Sequence, residues 1–223
     1  MKLKHNTRYG LGAVASLLIT MLASAALCCY NGLLVIPVAS TVADGHYSFE
    51  YQTDGVVQGL TSDARLLNNE IGIGGRLELG VDLDLDQDAG SRAIGNAKYI
   101  AWRSHSGRIA TAFGSASVAR GIKPTPYVVS SAAVGAANLH LGVMHLDGSN
   151  CCITGIDRQI GKTTWMADYT SSNSGLASVG FNYQFRPDFA VMAGALFQRG
   201  GEDTGLTVHF VWCKSLKIRK GGN

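Results

Sequence analysis

From Leu176 to Arg186 the chain alternates without a break: Ala177, Val179, Phe181, Tyr183 and Phe185 fall on one side, Ser178, Gly180, Asn182 and Gln184 on the other. A strict period of two marks a β-strand with one apolar and one polar face. After Arg186-Pro187-Asp188 the pattern resumes with Phe189, Val191, Ala193, Ala195 and Phe197. After Gly200-Gly201-Glu202-Asp203 it resumes again with Leu206, Val208, Phe210 and Trp212. Three successive hairpin-linked strands predict an antiparallel sheet whose apolar face must meet either a protein core or lipid.

Read the same way, the rest of the chain beyond Ala43 predicts strands near 46–54, 65–73, 76–86, 97–104, 108–118, 127–134, 138–146, 151–158 and 163–170, ahead of those at 176–186, 189–198 and 205–213. Gly74-Gly75, Ser104-His105-Ser106-Gly107 and Asp147-Gly148-Ser149-Asn150 supply turn chemistry between them. The stretches 56–64 and 131–137 carry little pattern. Within 76–86, Leu77, Leu79, Val81, Leu83 and Leu85 face one way, and Arg76, Glu78, Gly80, Asp82, Asp84 and Asp86 the other. Segments of about ten residues are long enough to cross a bilayer when tilted.

Composition supports a chain of many turns and close strands: 28 of 223 residues are Gly, and only 16% are charged. The formal net charge of +3 conceals an uneven distribution. Lys2, Lys4 and Arg8 stand at the start and Lys214, Lys217, Arg219 and Lys220 at the end, so the body from Asp44 to Cys213 holds all the acids and is mildly negative. A nucleic-acid partner requires cations gathered on the folded part, and this distribution argues against one.

No charged residue occurs between Leu11 and Ala43, and a cationic start precedes that run. This is the pattern of an export signal, and residues 1–43 are expected to form a signal peptide or a retained membrane anchor. Small residues at the minus-three and minus-one places occur at Ala23/Ala25 and at Thr41/Ala43, with cleavage after Ala43 favoured because polarity rises there. Residues 44–213 are expected to form one β domain and 214–223 a basic tail that frays into solvent or touches anionic lipid. Cys28-Cys29 has Leu27 before it, where a lipidation site needs a small residue. Cys151-Cys152 are adjacent and Cys213 is distant, so no disulfide framework is expected.

The segment Asp203-Thr204-Gly205-Leu206-Thr207-Val208-His209-Phe210-Val211-Trp212 resembles the closing strand of bacterial outer-membrane β-barrels, porin-like proteins among them. The likeness extends as architecture over about His46 to Trp212, although such chains normally stop at the terminal aromatic and this one continues to Asn223. The resemblance implies an all-β fold: a closed antiparallel up-and-down transmembrane barrel of roughly ten to twelve strands. It implies bacterial outer-membrane localisation, membrane lipid and the barrel assembly machinery as partners, and passive passage of small polar solutes or a structural envelope role. The pore-lining residues expected on this reading are Arg76, Glu78, Asp82, Asp84, Asp86, Asn182, Gln184 and His209, whose carboxylates favour cations.

Other chemistries are weaker. The acidic run Asp82-Leu83-Asp84-Leu85-Asp86-Gln87-Asp88 lacks the glycine and bidentate Glu of a calcium loop, which leaves at most a weak cation site at Asp84, Asp86 and Asp88. Gly161-Lys162-Thr163 has neither the spacing nor the following helix of a phosphate loop. The six histidines have no metal spacing, and no metal or cofactor is expected. The chain is expected to catalyse nothing. Two alternatives stand beside the barrel: a soluble or anchored β-sandwich acting as a binding or structural module, and a rim-site envelope hydrolase using His209, Ser178 or His105.

Overall fold

The computed structural model describes residues 32–57, 61–86, 92–119, 121–146, 148–172, 175–201 and 203–216. Residues 1–31, Asp88 and residues 217–223 lie outside the described residues, and with them most of the expected export segment and basic tail. Twelve strands follow one another: β1 (His46–Val56), β2 (Thr61–Ile73), β3 (Leu77–Asp84), β4 (Arg92–Arg103), β5 (Ile109–Val118) and β6 (Thr125–Val134), then β7 (Ala137–Leu146), β8 (Ser149–Ile160), β9 (Thr163–Thr170), β10 (Leu176–Arg186), β11 (Phe189–Gln198) and β12 (Thr204–Ser215). Each pairs antiparallel with its sequence neighbours, and β1 pairs with β12 from His46↔Ser215 to Val56↔Gly205. The sheet is therefore a closed up-and-down barrel with no free edge. The sandwich alternative is corrected by this closure, because the strands form one continuous sheet with no second layer among the described residues.

The two ends of the barrel differ. At one end the strands are joined by short turns at 74–76, 104–108, 135–136, 161–162 and 187–188, and the chain enters and leaves there. Gly74 and Gly75 adopt φ of +60° and +65°, the left-handed region that a tight hairpin turn demands and that costs glycine nothing. The opposite end carries the two longest connections, 85–91 and 119–124. This asymmetry matches outer-membrane barrels, whose periplasmic turns are short and whose outer loops are longer.

The apolar faces point outward. Leu79, Val81 and Leu83 of β3 are 42%, 48% and 36% exposed, whereas Glu78, on the opposite face, is 3% exposed. In β10, Val179, Phe181 and Phe185 are exposed, while Ser178 and Asn182 are buried. Soluble monomers rarely present so continuous an oily belt to water. An aromatic cluster runs around the turn end: Phe189 and Trp212 lie 4.8 Å apart, Phe49 and Trp212 5.8 Å, and Tyr183 and Phe185 4.6 Å. Such amphipathic rings belong at the headgroup level of a membrane.

The lumen is not empty. Residues 32–43, within the stretch that the sequence assigns to the export segment, run into the barrel from the turn end, and Asp44 leads out to β1. They fold back on themselves at Leu33–Ile36, where Leu33 N–H donates to Ile36 O at 2.9 Å and Gly32 bridges Pro37. Leu33, Leu34, Ile36, Val38 and Ala39 are buried and form one apolar cluster with inward residues including Ile100, Ala112, Val129, Ile153, Met166 and Met192. Burying each large aliphatic side chain fully contributes about 1.5–3 kcal/mol, taken against an exposed reference.

Candidate functional site

The lumen segment divides the interior into two cavities, each of about 500 Å³. The cavity toward the loop end lies above residues 32–37. Its wall comes from β1 (Glu50, Gln52, Asp54), β2 (Asn68, Glu70), β3 (Glu78, Asp82), β4 (Asn96, Lys98) and β12 (Thr207, His209). Alternation explains the set, because every second residue of each strand faces the interior. Five carboxylates face a single lysine here, so the cavity is electronegative and attracts cations.

These groups hold one another in place. Lys98 Nζ lies 3.0 Å from Glu78 Oε1, and both side chains are 4% exposed. His209 bridges Glu50 and Thr207, with Nδ1 2.8 Å from Glu50 Oε1 and Nε2 2.6 Å from Thr207 Oγ1. The Thr207 hydroxyl in turn donates to Asp54. Asn96 donates to both oxygens of Asp82 at 3.0 and 3.1 Å, and Asn68 donates to Glu50 and Gln52. A buried polar network of this kind is rigid when every member has a partner.

The turn-end cavity lies against residues 38–41 and is lined by Arg103, Arg108, Ser131, Asn138, His140 and Asp157. The Ser131 hydroxyl lies 2.7 Å from His140 Nδ1, and His140 Nε2 lies 2.8 Å from Asp157 Oδ2, whose other oxygen accepts from Asn138 at 2.9 Å. A serine, a histidine and an aspartate in series invite a nucleophilic reading. The Ser131 oxygen, however, already accepts the backbone N–H of Ala39 at 2.9 Å, so the lumen segment occupies the position an electrophile would need. The series acts as a fixed acceptor for that segment.

Two more wall residues do the same. Val42 N–H donates to Glu78 Oε2 at 2.7 Å and Val35 N–H to Asp168 Oδ2 at 3.2 Å. At the entrance, Asp44 accepts from the Gly74 N–H at 2.6 Å.

Of the residues predicted to line a pore, Glu78, Asp82 and His209 come together in the loop-end cavity. Arg76 does not belong to the wall; it lies exposed on the turn 74–76, because the Gly74-Gly75 hairpin extends by one residue before β3 starts. Asp84 ends β3 half-buried, and Asp86 follows it and pairs with Arg65 at 3.3 Å. Asn182 faces inward, 2% exposed, yet lines neither cavity, and Gln184 bonds the carbonyl of Arg186 at the turn end. The hydrolase pair does not form: His105 sits exposed on a turn, and His209 has Glu50 and Thr207, not Ser178, as its partners.

Sequence reasoning missed Glu50, Asp54, Glu70, Asn96 and Lys98, although the same alternation marks them in Ser48-Phe49-Glu50-Tyr51-Gln52 and Asn96-Ala97-Lys98-Tyr99. Gly161-Lys162 forms the β8–β9 turn, with no helix after it. Among the described residues no group of three or more His, Cys, Asp or Glu is arranged to hold a metal ion.

No family model matches the sequence, and a search of curated proteins finds no match. Solved structures do match. The KdgM porin superposes with a TM-score of 0.54 at 12% identity, covering 74% of this chain and 98% of the porin. A second structure of that porin, in complex with disordered oligogalacturonate, gives the same values. The NanC porin superposes with a TM-score of 0.54 at 11% identity, covering 75% of this chain and 99% of its own. At such identities the likeness is one of fold, and this chain has the twelve-stranded barrel architecture of outer-membrane porins.

Proposed function

We propose that the protein resides in the bacterial outer membrane and serves the passage of small polar solutes, as a porin-like barrel with no catalytic role. The observation that carries this reading is the combination of an oily outer belt with a closed interior holding two cavities whose walls carry charged and polar side chains. The KdgM structure with oligogalacturonate supports it as an example of the same fold meeting a polar chain of sugars. The charge of the loop-end cavity points to a different solute. Galacturonate is an anion, and five carboxylates against Lys98 repel one, so the solutes proposed here are neutral or cationic. The serine, histidine and aspartate of the turn-end cavity remain structural on this reading, since the hydroxyl is already engaged.

Passage requires residues 32–43 to leave the lumen axis. The test is therefore made on a folded variant lacking residues 33–42, whose barrel closure is verified by slower gel mobility after boiling. In a planar bilayer this variant is expected to show conductance steps with a reversal potential of cation-preferring sign under a salt gradient. Replacing Asp82→Asn together with Glu70→Gln is expected to move that potential toward zero. A folded variant that shows no steps contradicts passage, and an anion preference contradicts the solute class.

A further inference from the structure

We propose that residues 32–44 belong to the exported, folded protein as a lumen stopper, that the leader is cleaved upstream of Gly32 at Ala23-x-Ala25, and that the stopper gates the barrel. The retention half stands on the geometry alone. The gating half rests on the passage reading.

The wall is shaped for this segment by residues scattered through the sequence. Gly155 of β8 and Gly194 of β11 leave space that Leu33 and Leu34 fill, and a Cβ at either position would collide with those leucines. Gly72 of β2 allows the carbonyls of Val42 and Ala43 to approach in the same way. A glycine inside a strand weakens it unless something must come close, and here one chain segment supplies the close neighbour at all three places.

Hydrogen bonding agrees with shape. Three backbone N–H groups of the segment, on Val35, Ala39 and Val42, meet side-chain acceptors from three different strands, Asp168, Ser131 and Glu78. A backbone donor that leaves water needs such a partner.

The third observation is the inward wall itself. Ile100, Val129 and Ile153 are fully buried, and Met166 and Met192 are 3% exposed, all within the cluster that the segment completes. Without residues 33–42 these side chains would line a water-filled lumen, which an open polar channel avoids. Cleavage after Ala43 would remove their partner. Cleavage after Ala25 keeps it, and the apolar run preceding Ala25 is already as long as an export core requires.

Because the stopper lies between the two cavities, its seating sets whether they communicate. The segment folds back within the barrel, meets the wall through side-chain hydrogen bonds and packing, and is held at its exit by Asp44 on Gly74, so it can withdraw toward the turn end without unpairing a strand of the barrel. Gly155→Val fills the seat of Leu33 while leaving strand pairing in place. Leu33→Ala in the same chain gives the space back.

The experiment begins with the full chain expressed in a bacterium and purified from its outer membrane. Its N-terminus, read by sequencing and intact mass, is expected at residue 26. A start at Asp44 overturns the proposal and leaves the passage reading untouched. Conductance in planar bilayers then compares the protein as isolated with the variant lacking residues 33–42 and with Gly155→Val, each confirmed folded by heat-dependent gel mobility. The expected result is at least a tenfold rise in open-channel current in both variants, reversed when Leu33→Ala is added to Gly155→Val. Equal conductance in all forms overturns the gate and preserves passage. Silence of every folded form overturns passage and the gate together, whatever the N-terminus.

Discussion

Lys98→Met is expected to destabilise the folded barrel by about 3–5 kcal/mol, the cost of leaving one member of a buried ion pair without its partner. Lys98 and Glu78 lie 3.0 Å apart with side chains 4% exposed, so little water reaches the orphaned carboxylate. The penalty falls on the lumen segment as well, because Glu78 also accepts the Val42 N–H. Adding Glu78→Gln to Lys98→Met removes the uncompensated charge while keeping an acceptor for Val42, and is expected to recover more than half of the loss. Urea unfolding of the barrel in lipid vesicles measures both, through the midpoint and slope of the transition. A single variant within about 0.5 kcal/mol of the parent means that water enters the lumen freely at this height.

Leu141→Arg carries the second large effect. Leu141 sits at the middle of β7 on the outer face, 61% exposed, between Leu139 and Val143, which also face out. On the surface of a soluble protein such a change costs within about 0.5 kcal/mol in either direction. At the midplane of a bilayer an arginine on the lipid face costs about 2–4 kcal/mol. The same substitution near a strand end is expected to cost far less, so Val134→Arg serves as the comparison. A loss at both sites alike, or at neither, is inconsistent with a hydrocarbon belt centred on Leu141.

The outer face was legible in the sequence, and the reason is the solvent. Hydrocarbon accepts no exception in a strand such as Leu77–Asp84 or Leu176–Arg186, so alternation is strict there and strand bounds follow from it. The strands β2 and β4 begin earlier than predicted, at Thr61 and Arg92, because near the loop end the β2 sequence is polar at successive positions (Thr61, Ser62, Asp63) and β4 has only small residues at its outer-face positions (Ala93, Gly95).

The interior was less legible. Ile100, Val129, Ile153, Met166 and Met192 break the expectation of a polar inner face, since their neighbour is another part of the chain rather than water. That neighbour, Leu33-Leu34-Val35-Ile36, is compositionally indistinguishable from the core of an export leader, so hydropathy alone places it with the leader. Its true signal lies in distant glycines and acceptors, Gly155, Gly194, Ser131 and Asp168, which only closure of the barrel brings to one axis. Arg76 was misplaced for a simpler reason: alternation continues through Gly75-Arg76-Leu77 on paper, whereas the turn consumes Arg76.

Membrane residence turns on the outer face meeting lipid, and the chain carries a direct reporter of it. All three of its tryptophans, Trp102, Trp165 and Trp212, lie on strands with their rings on the outer face, toward the turn end. Tryptophan fluorescence is measured after reconstitution into vesicles whose acyl chains carry bromine at a shallow or a deep position. With the belt in lipid, strong quenching by brominated lipid is expected, greatest with bromine near the headgroup. Fluorescence unchanged at both bromine depths would contradict membrane residence.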